Sequence, residues 1–179
     1  RGLGASTILG GEFENGLVEL ATQLAARTNG DPLPARTLVS LDRQEFAVPD
    51  RSDLPGLEQY AQLRVGSEQK LVGYTEASRG CKHLCRHCPI VPVYGGAFRI
   101  VQPQVALADI RHQVARGAQH ITFGDPDFFN GPTHSLRIVD SLHREFPDLT
   151  YDVTIKVEHL LQHRCHLTKL RDTGCLFVT

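Results

Sequence analysis

From residue 71 onward, short apolar runs alternate with stretches of helical periodicity, and this alternation restricts the chain to an α/β fold. Residues 71–75 read as a strand that runs straight into Ser78-Arg79-Gly80. Pro103 is placed to open a helix whose apolar stripe is Val105, Leu107, Ile110 and Val114, ending at Gly117. Residues 120–123 read as a second strand, followed by the loop Gly124-Asp125-Pro126-Asp127 and a helix from about 133 to 146, closed by Pro147. Residues 151–157 alternate like a third strand, with Lys156 and Glu158 closing it. Residues 160–172 supply one or two helical turns, and Gly174 precedes a fourth strand. Such strands pair in parallel through right-handed crossovers. Four strands do not close an eight-stranded barrel, so the pattern fits either an open sheet or the first part of a full or partial barrel.

The first 70 residues have a different texture. Residues 5–9 form a short apolar run ending in Gly10-Gly11, and Leu17, Leu20, Ala21, Leu24 and Ala25 follow at helical spacing, as in the last strand and helix of an α/β unit. Residues 29–57 hold Pro32, Pro34, Pro49 and Pro55 among scattered charges, with only 38–41 strand-like, and read as a linker. The chain contains no methionine, opens on Arg1-Gly2-Leu3 and stops at Thr179 directly after a strand-like run, so we expect it to be an excerpt from a longer protein.

Composition excludes several classes. A hydrophobic fraction of 41% and a charged fraction of 22% are those of a globular protein, not of a disordered chain. Nineteen lysines and arginines against 20 acidic residues leave no field to draw nucleic acid or an anionic membrane. No apolar stretch is long enough to cross a bilayer and the N-terminus lacks a signal peptide's apolar core, so a cytoplasmic location is expected.

Three of the five cysteines fall in Gly80-Cys81-Lys82-His83-Leu84-Cys85-Arg86-His87-Cys88-Pro89, a CxxxCxxC spacing at the C-terminal end of the first strand. Sites in parallel α/β proteins are built at that end. Clustered thiolates suit metal binding better than a disulfide framework. Iron-sulfur clusters usually take four cysteines, and Cys165 and Cys175 lie far along the chain. A cubane held by Cys81, Cys85 and Cys88 leaves one iron open to bind and activate a substrate. Arg79, Lys82, His83 and Arg86 surround the triplet with positive charge, which lowers thiol pKa values and offsets the charge of a thiolate-bound cluster.

These residues resemble the radical S-adenosylmethionine superfamily, whose signature is CxxxCxxC in the loop after the first strand of a partial (β/α) barrel. The resemblance continues through Gly95-Gly96-Ala97-Phe98-Arg99 and through the second strand with Gly124 and Asp125, covering about residues 70–179. One departure is His87, where the family commonly has an aromatic residue packing near the adenine; a histidine ring can stack or donate a hydrogen bond there, or ligate a metal. The resemblance implies a [4Fe-4S] cluster on Cys81, Cys85 and Cys88 whose open iron chelates S-adenosylmethionine. Reductive cleavage of the latter then yields a 5′-deoxyadenosyl radical that abstracts hydrogen from substrate. It implies contacts to S-adenosylmethionine from His87, Gly124 and Asp125, a flavodoxin- or ferredoxin-type reductant, and a small-molecule or peptide substrate. Asp125 before Pro126 reads equally as a strand-ending turn, and Glu158 is a further candidate to reach the cofactor from the top of the site.

Gly4-Ala5-Ser6-Thr7-Ile8-Leu9-Gly10-Gly11-Glu12-Phe13-Glu14 and the helix after it look like the final strand and helix of the cobalamin-binding-type, Rossmann-like domain that precedes many such barrels. The resulting layout is the tail of that domain over 1–28, a linker over 29–68 and an incomplete radical S-adenosylmethionine core over 69–179. The histidine-bearing loop that would lie beneath cobalamin is not in this chain, so cobalamin belongs, if anywhere, to a longer protein. The principal rival is a structural zinc module in which His83 or His87 completes a Cys3His set, although zinc modules usually carry paired ligand knuckles. A plain ferredoxin needs a fourth nearby cysteine, and a nucleophilic cysteine does not need three clustered thiols.

Overall fold

The structure is a computed structural model and describes residues 5–27 and 36–179. Strand β1 (Thr7–Gly11) leads into helix α1 (Glu14–Ala25) and pairs in parallel with β2 (Arg36–Ser40), in register from Thr7↔Arg36 to Gly11↔Ser40. Gly16 brings α1 down onto Leu9 and Leu38.

The stretch expected to be a linker carries more structure than its prolines suggest. Residues 28–35 lie outside the described residues, but beyond them stand β2, a 3-10 turn at Leu57–Gln59 and strand β3 (Gln62–Val65). Strand β3 turns back through Gly66 to pair antiparallel with β4 (Glu68–Thr75). Strand β2 overlaps the strand-like run read at 38–41, whereas β3 is a four-residue edge strand, Gln-Leu-Arg-Val, too short and too polar for its periodicity to show.

Strand β4 begins a sheet of order β3-β4-β7-β8-β9, in which β7 (His120–Phe123), β8 (Thr150–Val153) and β9 (Cys175–Val178) follow in parallel. The parallel strands lie in sequence order without reversal, as along a (β/α) barrel and unlike a doubly wound sheet, whose order reverses at a switch point. A short antiparallel pair, β5 (Ser78–Gly80) with β6 (Phe98–Ile100), branches from the top of β4, and the four-residue helix α2 (Val91–Tyr94) lies between its arms.

Helices α3 (Pro103–Ala115) and α4 (Pro132–Glu145) start with proline in the first turn, where no backbone N–H is needed. Helix α3 ends at Gly117, whose φ of 96° only glycine adopts readily. The core lies between these helices and one face of the sheet: Ile110, Ile121, Phe123, Ile138, Leu142 and Tyr151 are all within 1% of full burial. Each such side chain contributes about 1.5–3 kcal/mol. Register places Tyr74, Thr122, Asp152 and Phe177 in one row on the opposite face. On that face His120 bonds Asp152 at 2.8 Å and Thr150 at 2.8 Å.

Two sequence expectations need correction. The third strand stops at Val153, not Val157, because the Thr154 carbonyl accepts the Phe128 N–H at 2.8 Å and leaves the ladder. Lys156 and Glu158 therefore do not close a strand: Lys156 caps, and Glu158 lies in the first turn of, helix α5 (Val157–Gln162). The helical stretch expected over 160–172 is broken into α5, a 3-10 turn at Arg164–His166 and α6 (Leu167–Asp172).

Candidate functional site

The cysteine loop leaves β5 at Gly80, where φ is 74° and a Cβ would meet the Ala97 carbonyl at 2.6 Å. Only glycine delivers the chain into Cys81 there. Cys81, Cys85 and Cys88 follow on one loop, each partly buried, with Cys88 N–H donating to the Cys85 carbonyl at 3.1 Å. His83 N–H lies 3.5 Å from Cys81 Sγ.

The loop after β7 braces this one. Asn130, 1% exposed, accepts the Lys82 N–H on Oδ1 at 3.0 Å, and its Nδ2 lies 3.4 Å from the Gly80 carbonyl; Oδ1 also stands 3.7 Å from Cys81 Sγ. Asp125, 2% exposed, accepts Ala77 N–H at 2.9 Å and Ser78 Oγ–H at 2.6 Å. Both carboxylate oxygens are thus spent on holding the junction between β4 and β5. Positive charge is close: Lys82 Nζ sits 4.7 Å above the Phe98 ring, and the Lys156 ammonium is held above its ordinary value first by Glu158, then by Cys85 and Cys81. Arg79 turns away, pairing with Glu76 at 3.0 Å and with Glu14 of the N-terminal unit.

Burial pushes the Asp125 carboxyl from 3.8 up to about 6, against the lowering effect of its bonds to Ser78 and Ala77. Between these two values the folded state holds more protons than the unfolded one, so stability is expected to fall as pH rises from about 4 to about 6. At about 1.4 kcal/mol per unit the loss is about 3 kcal/mol at most, and above that window this group adds no further slope. Urea unfolding midpoints across the window check this. The Asp125→Asn chain should lose the slope, and an unchanged slope would reject the assignment.

Of the other expected cofactor contacts, His87 is exposed on the cysteine loop. Gly124 donates its N–H to the Thr75 carbonyl at 2.8 Å and lies under Tyr74, whose ring a Cβ would strike. Glu158 is exposed and pairs with Lys156 at 2.8 Å. His87 and Glu158 therefore have side chains at the surface, whereas Asp125 is turned inward.

Sequence reasoning passed over a second group beside the loop. His83 does not point to the thiols; its Nε2 faces His159 Nε2 at 3.1 Å and Asp127 Oδ2 at 3.6 Å. Among the described residues, His83, Asp127 and His159 are the one set of three or more potential ligands whose donor atoms lie within 4.8 Å of one another. The three thiols, with or without a histidine, do not converge that closely. Ligands around one zinc, with Zn–S bonds of about 2.3 Å, would stand about 4 Å apart. A cubane is held at separate corners, so wider spacing suits it. No signal in the sequence joined His159 to His83, because they meet only where the α5 N-terminus passes the cysteine loop.

No family model and no curated protein matches this chain. The described residues form a mixed α/β fold whose main sheet has the order β3-β4-β7-β8-β9. Two of the solved structures it resembles are of the radical S-adenosylmethionine methyltransferase TsrM from Kitasatospora setae. With cobalamin and a [4Fe-4S] cluster bound, the TM-score is 0.48 at 17% identity, over 61% of this chain and 22% of that one. With tryptophan substrate and a S-adenosylmethionine analogue bound, it is 0.48 at 17% identity, over 68% and 26%. The chain thus spans about a quarter of the length of the proteins it resembles. Among the described residues, no helix is long and apolar enough to cross a membrane.

Proposed function

We propose that this chain is the cluster-binding part of a radical S-adenosylmethionine enzyme, with Cys81, Cys85 and Cys88 holding a [4Fe-4S] cluster. The observation that carries the reading is three partly buried thiols at CxxxCxxC spacing on one loop, beyond the C-terminal ends of parallel strands β4 and β7. The remaining cysteines stand elsewhere. Cys165 is exposed in the turn after α5, and Cys175 opens β9 with its thiol pushed up to about 11 by burial. Such a thiol gives up its proton reluctantly and makes a poor ligand.

The donor set fits the group: three soft ligands, one short of the usual four, with Lys82 and Lys156 offsetting negative charge. When bound, the cluster would supply an electron and an open iron for reductive cleavage of S-adenosylmethionine. The chain's own residues do the positioning. Gly80 and Asn130 fix the direction of Cys81, and Asp125 locks the β4–β5 junction beneath it. In this reading His87 lies against the adenine, the Gly124 backbone and Glu158 border S-adenosylmethionine, and Asp125 acts through the loop. Residues 1–28 would close a cobalamin-binding-type domain, 29–68 connect it, and 69–179 begin the barrel. The substrate would be a small molecule or peptide and the reductant a flavodoxin- or ferredoxin-type protein.

The test is anaerobic reconstitution of the complete protein with iron and sulfide, then electron paramagnetic resonance of the reduced sample with and without S-adenosylmethionine. The expected result is about four irons and four sulfides per chain and a spectrum that S-adenosylmethionine perturbs. One zinc without sulfide would overturn it.

A further inference from the structure

Beside the cysteine loop lies a cluster that the proposed cluster chemistry does not use. Asp127 is 1% exposed and His159 is 9% exposed. Asp127 Oδ1 caps the following turn by accepting the Phe129 N–H at 3.0 Å, which leaves Oδ2. Oδ2 and His159 Nδ1 are buried and neither makes a hydrogen bond. They lie 2.8 Å apart, close enough for one, so the ring N–H does not point at the carboxylate. A buried polar atom left without a partner costs about 1–3 kcal/mol, and two facing each other need a common partner.

His83 closes the set from the third side. Its Nε2 is 3.1 Å from His159 Nε2 and 3.6 Å from Asp127 Oδ2. His159 offers either Nδ1, 2.8 Å from the carboxylate, or Nε2, 3.1 Å from His83, and the donor atoms of the set lie within 4.8 Å of one another. With bonds of about 2.1 Å, ligands sharing one ion stand about 3.0 Å apart at right angles and about 3.4 Å apart in a tetrahedron, so the three groups are gathered nearly to that spacing. Two imidazoles and one carboxylate suit a divalent first-row transition ion and leave further coordination positions open.

We propose that His83, Asp127 and His159 form a mononuclear site for a divalent transition ion such as Zn2+ or Fe2+, separate from the cysteine triplet and next to it. His83 contributes Nε2, Asp127 contributes Oδ2 and His159 one ring nitrogen. Binding through His83 Nε2 puts the ring proton on Nδ1, which now stands 3.0 Å from Lys156 Nζ. Lys156 then turns wholly to Glu158, its other partner at 2.8 Å, a movement open to a half-exposed side chain. The ion thereby ties the cysteine loop, the loop after β7 and the start of α5 together at the rim of the sheet.

The test uses Co2+ alone as the probe, added to the complete protein carrying Cys81→Ser, Cys85→Ser and Cys88→Ser, so that its outcome is independent of the cluster. One Co2+ per chain with visible ligand-field bands is expected. Adding His83→Gln, Asp127→Asn or His159→Gln should weaken binding at least about 100-fold, since losing even an outer partner of a metal ligand costs about 10–100-fold. Asp127→Asn keeps the oxygen that caps Phe129, and His83 sits on a loop, so neither change threatens the fold. If the triple-serine protein does not fold, the wild-type protein with its cysteines intact is scored for one Zn2+ beyond its iron, lost in His83→Gln with iron and sulfide unchanged. Absence of the ion in the folded protein, or binding that survives all three substitutions, would overturn the site.

Discussion

Replacing Cys81, Cys85 or Cys88 by alanine, one at a time, is expected to strip the reconstituted protein of its iron and sulfide, whereas Cys165→Ala and Cys175→Ala should keep about four of each. A cubane already short of its usual fourth thiolate has no spare ligand to lose. Cys165 is exposed in a turn beyond α5, so its removal costs nothing structural. Cys175 packs against the core from the start of β9, and its removal should cost about 1–3 kcal/mol in packing without touching iron. Iron and sulfide analysis of the five variants checks the result. Equal loss in all five would show that iron is held nonspecifically.

Arg51→Ala should destabilise the protein by about 3–5 kcal/mol, a large effect for a residue outside the core. Its guanidinium grips Asp109 in fork geometry, Nε to Oδ1 at 2.8 Å and Nη2 to Oδ2 at 3.0 Å, and also donates to the Tyr74 carbonyl at 3.0 Å. The Asp109 side chain is 2% exposed and that of Arg51 only 25%. Removing the arginine leaves a buried carboxyl with the Gln113 amide, at 3.1 Å, as its remaining partner. The bond to Asp109 also holds the guanidinium above its ordinary value. Arg51→Lys should recover only part of the loss, because an ammonium cannot fork. Urea unfolding measures both variants; a loss under about 1 kcal/mol for alanine would mean the pair behaves as a surface ion pair. The bridge matters to the site because it ties the segment before β3 to α3 and β4, the strand that delivers the cysteine loop.

The two predictions differ in how visible they were. CxxxCxxC needs no partner to be seen, since three thiols within eight residues already specify metal chemistry. Arg51 looked like one charge among many in a proline-rich stretch, and nothing in the chain links it to Asp109, 58 residues later. The same holds for Asn130, which braces the cysteine loop from a position that reads as an ordinary turn.

What the sequence by itself determined is the alternation of strand and helix, the helix start at Pro103, a second helix from about residue 133, and the placement of three cysteines at the top of β4. Periodicity, proline and ligand spacing are local properties that a chain displays before it folds. Only the tertiary structure decided that β8 ends at Val153, that Asp125 points back at Ala77 and Ser78, and that His83 leaves the thiols for Asp127 and His159. Each of those outcomes depends on a hydrogen-bonding group far along the chain, and only burial makes the choice of partner costly enough to be unique.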